Sequence, residues 1–181
     1  DGVSDVNDAC SAYSSDLGWT SSSSTDHDAD GCQDSTEDMD DDNDGVIDSS
    51  DDCPTGNLGW VSTSSTDYDS DGCQDSTEDM DDDNDGVSDV NDACSAYSSD
   101  LGWTSVATTD YDSDGCQDVT EDTDDDNDGV VDADDSCMRG DLGWTSSPST
   151  DNDADGCQDF GEDIDDDNDE MVDMMDDCPM G

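Results

Sequence analysis

Residues 65–87 read STDYDSDGCQDSTEDMDDDNDGV, a stretch with ten carboxylates and no basic side chain. Unit charges about 4 Å apart repel by roughly 4 kcal/mol at a near-surface dielectric of ~20. A stretch of this kind holds a shape only if something offsets that repulsion. Its spacing suggests what. Asp67, Asp69 and Asp71 alternate, Gly72 follows, and Asp75 and Glu78 complete a frame of twelve positions. Alternate carboxylates in a tight loop converge on one point, and the glycine permits the sharp turn. The seventh residue, Cys73, offers its carbonyl, and a terminal carboxylate closes a shell of six to eight oxygens. After Met80 the frame repeats with Asp81, Asp83, Asp85, Gly86, the Val87 carbonyl, Asp89 and Asp92.

The frame recurs along the chain. One further first-type loop carries Asp26, Asp28, Asp30, Cys32, Asp34 and Glu37. A second carries Asp110, Asp112, Asp114, Cys116, Asp118 and Glu121. A third carries Asp151, Asp153, Asp155, Cys157, Asp159 and Glu162. The remaining second-type loops hold Asp40, Asp42, Asp44, Val46, Asp48 and Asp51; Asp124, Asp126, Asp128, Val130, Asp132 and Asp135; and Asp165, Asp167, Asp169, Asp173 and Asp176. With the opening pair these make eight candidate calcium loops, about two ions per repeat, plus the tail of one at Asp1, Val3, Asp5 and Asp8. In the last loop Glu170 stands where the others have glycine. That loop is expected to bind weakly or in altered geometry, because the position needs a positive φ.

The whole chain is built this way. Residues 1–21 and 85–105 are the same string, so the long period is the step from Asp1 to Asp85. Trp19, Trp60, Trp103 and Trp144 mark a shorter period inside it, with two tryptophans to each long step. The repeats span 10–52, 53–93, 94–136 and 137–177, with a partial repeat at 1–9 and the start of another at 178–181. The chain opens and closes inside a repeat and is expected to be a window of a longer array, any targeting segment lying outside it. A net charge of −57 over 181 residues, with Arg139 the one basic residue, describes a chain that cannot offset its ordering entropy by apolar burial. It excludes nucleic acid and anionic membrane as direct partners, since both require Lys and Arg. No stretch reaches the roughly 20 apolar residues of a membrane span. Neither a helical nor a strand period persists, so loops and turns are expected, with at most short strands near Leu-Gly-Trp. The predicted fold class is irregular, with little regular secondary structure: a linear tandem-repeat rod of calcium loops pinned by disulfides. An EF-hand sensor is disfavoured, because consecutive loops start as close together as Asp67 and Asp81 and leave no room for flanking helices.

The paired DxDxDGxxDxxD loops, the Cys after an acidic run, and the Pro in DDCPTG and DDCPMG resemble the calcium-binding type 3 repeats of thrombospondins. The resemblance covers the acidic half of each repeat and not the Leu-Gly-Trp and Ser/Thr segments. The Cys of DGC also sits nearer the glycine than in that family. The resemblance implies a chain wrapped around calcium ions, with the metal in place of a core, and an extracellular or cell-surface setting.

The nine cysteines, from Cys10 to Cys178, are almost evenly spaced. Zinc sites need close CxxC pairs, and there are none. Disulfides imply an oxidising compartment. Two registers fit the spacing: one staples the Trp segments and the other closes the acidic segments. The Trp segments have no metal to order them. The resemblance implies the same register, Cys10–Cys32, Cys53–Cys73, Cys94–Cys116 and Cys137–Cys157, which leaves Cys178 for a following repeat.

The Trp residues read as small packing anchors, or else as contacts between strands or with a sugar. The tracts before each first loop read as flexible linkers or as O-glycosylation stretches. The candidates are Thr20, Ser21, Ser22, Ser23, Ser24 and Thr25; Ser62, Thr63, Ser64, Ser65 and Thr66; Thr104, Ser105, Thr108 and Thr109; and Thr145, Ser146, Ser147, Ser149 and Thr150. No Asn-x-Ser/Thr acceptor occurs. His27 reads as a solvated residue. Carboxylates recur without a His, Lys or activated nucleophile beside them, so no enzymatic activity is expected. The function expected is structural: an extracellular, calcium-stiffened, disulfide-stapled rod or fibre strand that self-associates along or between strands. The alternative is a calcium-dependent adhesin or an acidic, mineral-binding matrix protein.

Overall fold

The computed structural model describes residues 1–11, 18–95 and 101–181. Among them the only regular element is one 3-10 turn, Asp48–Ser50, closed by Ser50 N–H donating to the Ile47 carbonyl at 2.7 Å. The described part of the Leu-Gly-Trp segments contains no strand; Leu17 lies outside the described residues. The chain falls into two compact units, Asp1–Asp83 and Asn84–Gly181. The boundary falls within the loop that begins at Asp81.

Among the described residues, the buried apolar side chains are all cysteines: Cys10, Cys32, Cys73, Cys94, Cys116 and Cys157. The other buried side chains are aspartates. The four tryptophans are half-buried, and each indole N–H is shielded from solvent without an acceptor. The interior is therefore cystine and carboxylate, as expected of a chain with too little apolar surface for a conventional core.

The disulfides are Cys10–Cys32, Cys53–Cys73, Cys94–Cys116 and Cys137–Cys157, with Cα–Cα distances of 5.1–5.2 Å. Cys178 is exposed and outside these four bonds. The backbone shows why this register forms. The segment leaving a second-type loop runs beside the first-type loop of the next repeat. Asp52 N–H donates to the Asp71 carbonyl at 2.8 Å, and Ser136 N–H to that of Asp155 at 2.7 Å. Asp51 and Asp135 also accept from Cys53 and Cys137 N–H, both at 2.6 Å. Each cysteine is thus carried to its partner by a strip of chain that is already hydrogen-bonded.

The Ser/Thr tracts are ordered, not loose linkers. The second residue after each Trp is bonded to an earlier loop: Ser62 N–H to the Asp44 carbonyl (2.8 Å), Ser105 to Asp85 (3.0 Å) and Ser146 to Asp128 (2.8 Å). The rest of each tract folds into a turn, as where Thr66 N–H meets the Thr63 carbonyl at 2.8 Å.

Candidate metal centres

Three contacts build each acidic loop. The ninth-position aspartate accepts from the second-position N–H: Asp34 from His27, Asp48 from Asp41, Asp75 from Tyr68, Asp118 from Tyr111, Asp132 from Asp125, Asp159 from Asn152 and Asp173 from Asp166, at 2.9–3.1 Å. The first-position carboxylate accepts from the sixth N–H, as Asp26 does from Gly31 and Asp67 from Gly72, at 3.3 and 3.2 Å. The fifth accepts from the seventh, as Asp30 does from Cys32 and Asp128 from Val130, at 2.8 and 2.7 Å. The backbone fits these bonds only with two left-handed residues per loop. Glycine holds the sixth place in all but the last loop, for example Gly72 at φ 91°, and there Glu170 holds it at φ 75°. The fourth place is filled by Ala29, Asn43, Ser70, Asn84, Ser113, Asn127, Ala154 or Asn168, all between 53° and 66°. Asn suits that conformation best. It also ties paired loops together: Asn43 Nδ2 donates to Asp28, Asn127 to Asp112 and Asn168 to Asp153.

This frame brings the predicted carboxylates together. Oxygens of Asp26, Asp28 and Asp30, of Asp40, Asp42 and Asp44, and of Asp67, Asp69 and Asp71 lie within 4.8 Å of one another in each set. In the second-type loops the twelfth-position carboxyls of Asp51 and Asp135 are raised, first by burial and then by the carboxylates of the same loop. Burial pushes Asp51 up to about 6, with Asp42 and Asp44 adding to the rise. Asp135 is pushed to about 6 by burial and by Asp126, Asp128 and Asp124. In the last loop burial raises Asp167, with Asp169, Asp176 and Asp165 contributing.

The first-type loops end differently. Glu78 accepts from Asn57 N–H at 2.9 Å and Glu162 from Asp141 N–H at 2.9 Å, so both reach the turn that starts their own repeat. Glu37 accepts from Gln33 N–H and Glu121 from Gln117 N–H. The carboxylate beside the third and fifth positions is the thirteenth. Asp38 clusters with Asp30 and Cys32, and burial then Asp30 push it to about 6. Asp122 is pushed to about 6 by burial and Asp114, and Asp163 helps raise Asp153. The spacing alone did not single out these residues; the signal was the unbroken Glu-Asp pair at each loop end. Cys32, Cys73, Cys116 and Cys157 sit at the seventh positions and carry the disulfides.

His27 is not simply solvated. Its Nε2 lies 3.0 Å from the Gly56 carbonyl, and Tyr111 Oη donates to the Gly140 carbonyl at 2.9 Å. This second position spans from a loop to the turn that opens the following repeat. Arg139 pairs with Asp118 at 2.6 Å and Asp125 at 2.9 Å.

The donor set suits a hard divalent cation such as calcium, because it is entirely oxygen and rich in carboxylate. The sharper test is the state of the innermost oxygens. Asp26 Oδ1, Asp44 Oδ2 and Asp128 Oδ2 are buried and accept no hydrogen bond. Asp44 and Asp128 are 0% exposed. A buried charged oxygen without a partner is costly, and a cation at the loop centre removes that cost.

No family model matches this chain, and a search of curated proteins finds none similar to it.

Proposed function

We propose that the chain is an extracellular structural protein, a calcium-stiffened and disulfide-stapled rod or fibre strand of repeated loops. The observation that carries this reading is the set of buried carboxylate oxygens without hydrogen-bond partners at the loop centres, typified by Asp44 and Asp128. In second-type loops the first, third, fifth and twelfth carboxylates would hold the ion. In first-type loops the first, third and fifth would do so together with Asp38, Asp122 or Asp163. A bound calcium supplies two positive charges and six to eight coordination positions for oxygen. The residues fix where those charges are needed, since the loop backbone is already shaped by its own hydrogen bonds. The four disulfides support an oxidising, extracellular setting. Affinities on the order of 10⁻⁴–10⁻³ M, as in extracellular modules, suffice there.

Exposed hydroxyls in the tracts, such as Ser64 and Ser65, are accessible to O-glycosylation. Ser62 is committed to Asp67 by a 2.5 Å bond. An adhesin or mineral-binding role is the second reading, favoured by exposed apolar side chains such as Phe160 and Met174 and by the dense surface carboxylate.

Small-angle scattering of the chain with calcium and then with excess chelator tests the structural reading. The radius of gyration and the flexibility should both rise on chelation. Unchanged dimensions would refute it. Graded binding of many weak ions, in place of about two per repeat, would favour the mineral-binding alternative.

A further inference from the structure

The loops do not account for Arg139, nor for the side-chain oxygens it meets. Its guanidinium donates to Asp118 Oδ2 from Nη2 and to Asp125 Oδ2 from Nε, at 2.6 and 2.9 Å. The Asp118 side chain is 0% exposed and that of Asp125 5%. Asp118 is the ninth residue of one loop and Asp125 the second residue of the next, and Asp132 accepts the Asp125 N–H at 2.9 Å. The three carboxyls thus flank the join between two loops, outside either loop's centre. An acidic triad with two of its three carboxylates buried and a cation seated in it is a built arrangement, and the arginine supplies the charge from within the chain.

The same triad recurs without the arginine. In the last repeat it is Asp159, Asp166 and Asp173, and the residue in the place of Arg139 is Met180. The local frame is kept: Asn152 N–H bonds Asp159, Asp166 N–H bonds Asp173, and Asn152 Nδ2 reaches the Met180 carbonyl at 3.2 Å. Asp159 Oδ2, the atom equivalent to the one that receives Arg139 Nη2, is buried and unpartnered. Asp166 is nine-tenths buried, and its Oδ1 has no partner. In the first compact unit the triad is Asp34, Asp41 and Asp48, with Thr55 in the arginine's place. There Asp34, Asp38 and Asp41 bring oxygens within 4.8 Å, and Asp41 Oδ1 is buried and unpartnered. The turn is the same in both settings: Gly56 N–H donates to Asp42 at 2.9 Å, as Gly140 N–H does to Asp126 at 2.7 Å.

We infer that Asp159, Asp166 and Asp173, and likewise Asp34, Asp41 and Asp48, form an additional divalent-cation site at the join between loops, and that the Arg139 guanidinium is the resident cation of the corresponding site in the third repeat. The ligands are carboxylate oxygens only, so the class of ion is a hard divalent cation of the calcium type. The site of the last repeat does not require the loop centres to be filled, because Asp159, Asp166 and Asp173 are none of the carboxylates assigned to them; in the first unit Asp38 borders both sites.

Native mass spectrometry of the full chain in calcium counts bound ions one at a time. Met180→Arg should bind one ion fewer than the parent chain, and Thr55→Arg should also lose one. Arg139→Met should gain one. Asp166→Asn should lose one without introducing an arginine, which covers the case in which a new guanidinium disturbs the fold. Equal counts in the parent, Met180→Arg and Asp166→Asn would overturn the inference, whatever the loops do. If only these one-ion changes appear and the remaining ions are absent, the join sites stand and the loop reading falls.

Discussion

Two glycines at the same loop position do different work. Gly72 has φ 91°, and a Cβ there would overlap Asp51 Oδ1, on the closing carboxylate of the loop before. Gly115 would meet Asp92 and Gly156 would meet Asp135 in the same way. Gly45 also has a positive φ, yet its nearest neighbour would be Val61 Cγ1 at 3.9 Å. Gly45→Ala should therefore cost only the left-handed backbone, about 1 kcal/mol. Gly72→Ala must also displace Asp51, and should cost about 2 kcal/mol more. Thermal melts in calcium check the difference; equal losses would refute the distinction. Glu170 fits this scheme. It occupies a place equivalent to Gly45 with φ 75° and is exposed, so the chain bears backbone strain there without a clash. The need for a positive φ at Glu170 was legible in the sequence, because one odd residue in a repeat stands out. The left-handed Ala29 and Ser70 were not. Neither residue type signals that conformation, which the loop's hydrogen bonds impose.

At the scale of one repeat, the chain alternates between making a loop and fastening it. Ser62 shows the fastening. Its N–H holds the Asp44 carbonyl and its hydroxyl holds Asp67, a residue with no exposed surface. Ser62→Ala should lose a bond to a charged acceptor, a cost of about 1–2 kcal/mol. The loop starting at Asp67 should then need several-fold more calcium to order, as followed by tryptophan fluorescence. Ser64→Ala, at an exposed hydroxyl, should leave the midpoint in place and so serves as the control. The loops themselves were readable because their carboxylates are spaced within a frame of twelve. The Ser/Thr tract was not, since its partners Asp44 and Asp67 lie outside it and composition alone resembles a linker. Glu78 follows the same logic. Its spacing matches a loop-closing ligand, and what the spacing did not show is that its carboxylate also accepts the N–H of Asn57, at the start of the repeat, and of Gln74 in its own loop.

The whole molecule carries a net charge of −57, and its pH response depends on whether metal is present. Without metal, the raised carboxyls favour the folded form while they hold protons. Asp41 and Asp112 are pushed to about 7, chiefly by burial, and Asp38, Asp51, Asp122 and Asp135 to about 6. A folded-state value above the unfolded one stabilises below the unfolded value and is lost as pH rises through the folded one. In chelator, the chain should therefore be most compact near about pH 4 and expand between about pH 5 and 8. In calcium the order should reverse, because protons compete for the same oxygens. Scattering or sedimentation across that range, with and without calcium, checks both signs. That the described residues hold little regular secondary structure was legible from charge and missing periodicity. The disulfide register was readable as a choice of two. What decides between them is the strip Asp51–Cys53 lying along Asp71–Cys73, a contact set by folding and not by spacing.

That strip has one more consequence. Within each compact unit, the seam between repeats uses the same parts: an aspartate against a glycine, one backbone bond and one cystine. Such a joint does not depend on which repeat lies on either side. A block of one long and one short repeat can be duplicated or deleted and leave like parts facing like parts. Array length is then a free variable, open to change by slippage in the gene, while local geometry stays fixed. The identity of residues 1–21 with 85–105 is the trace such copying would leave.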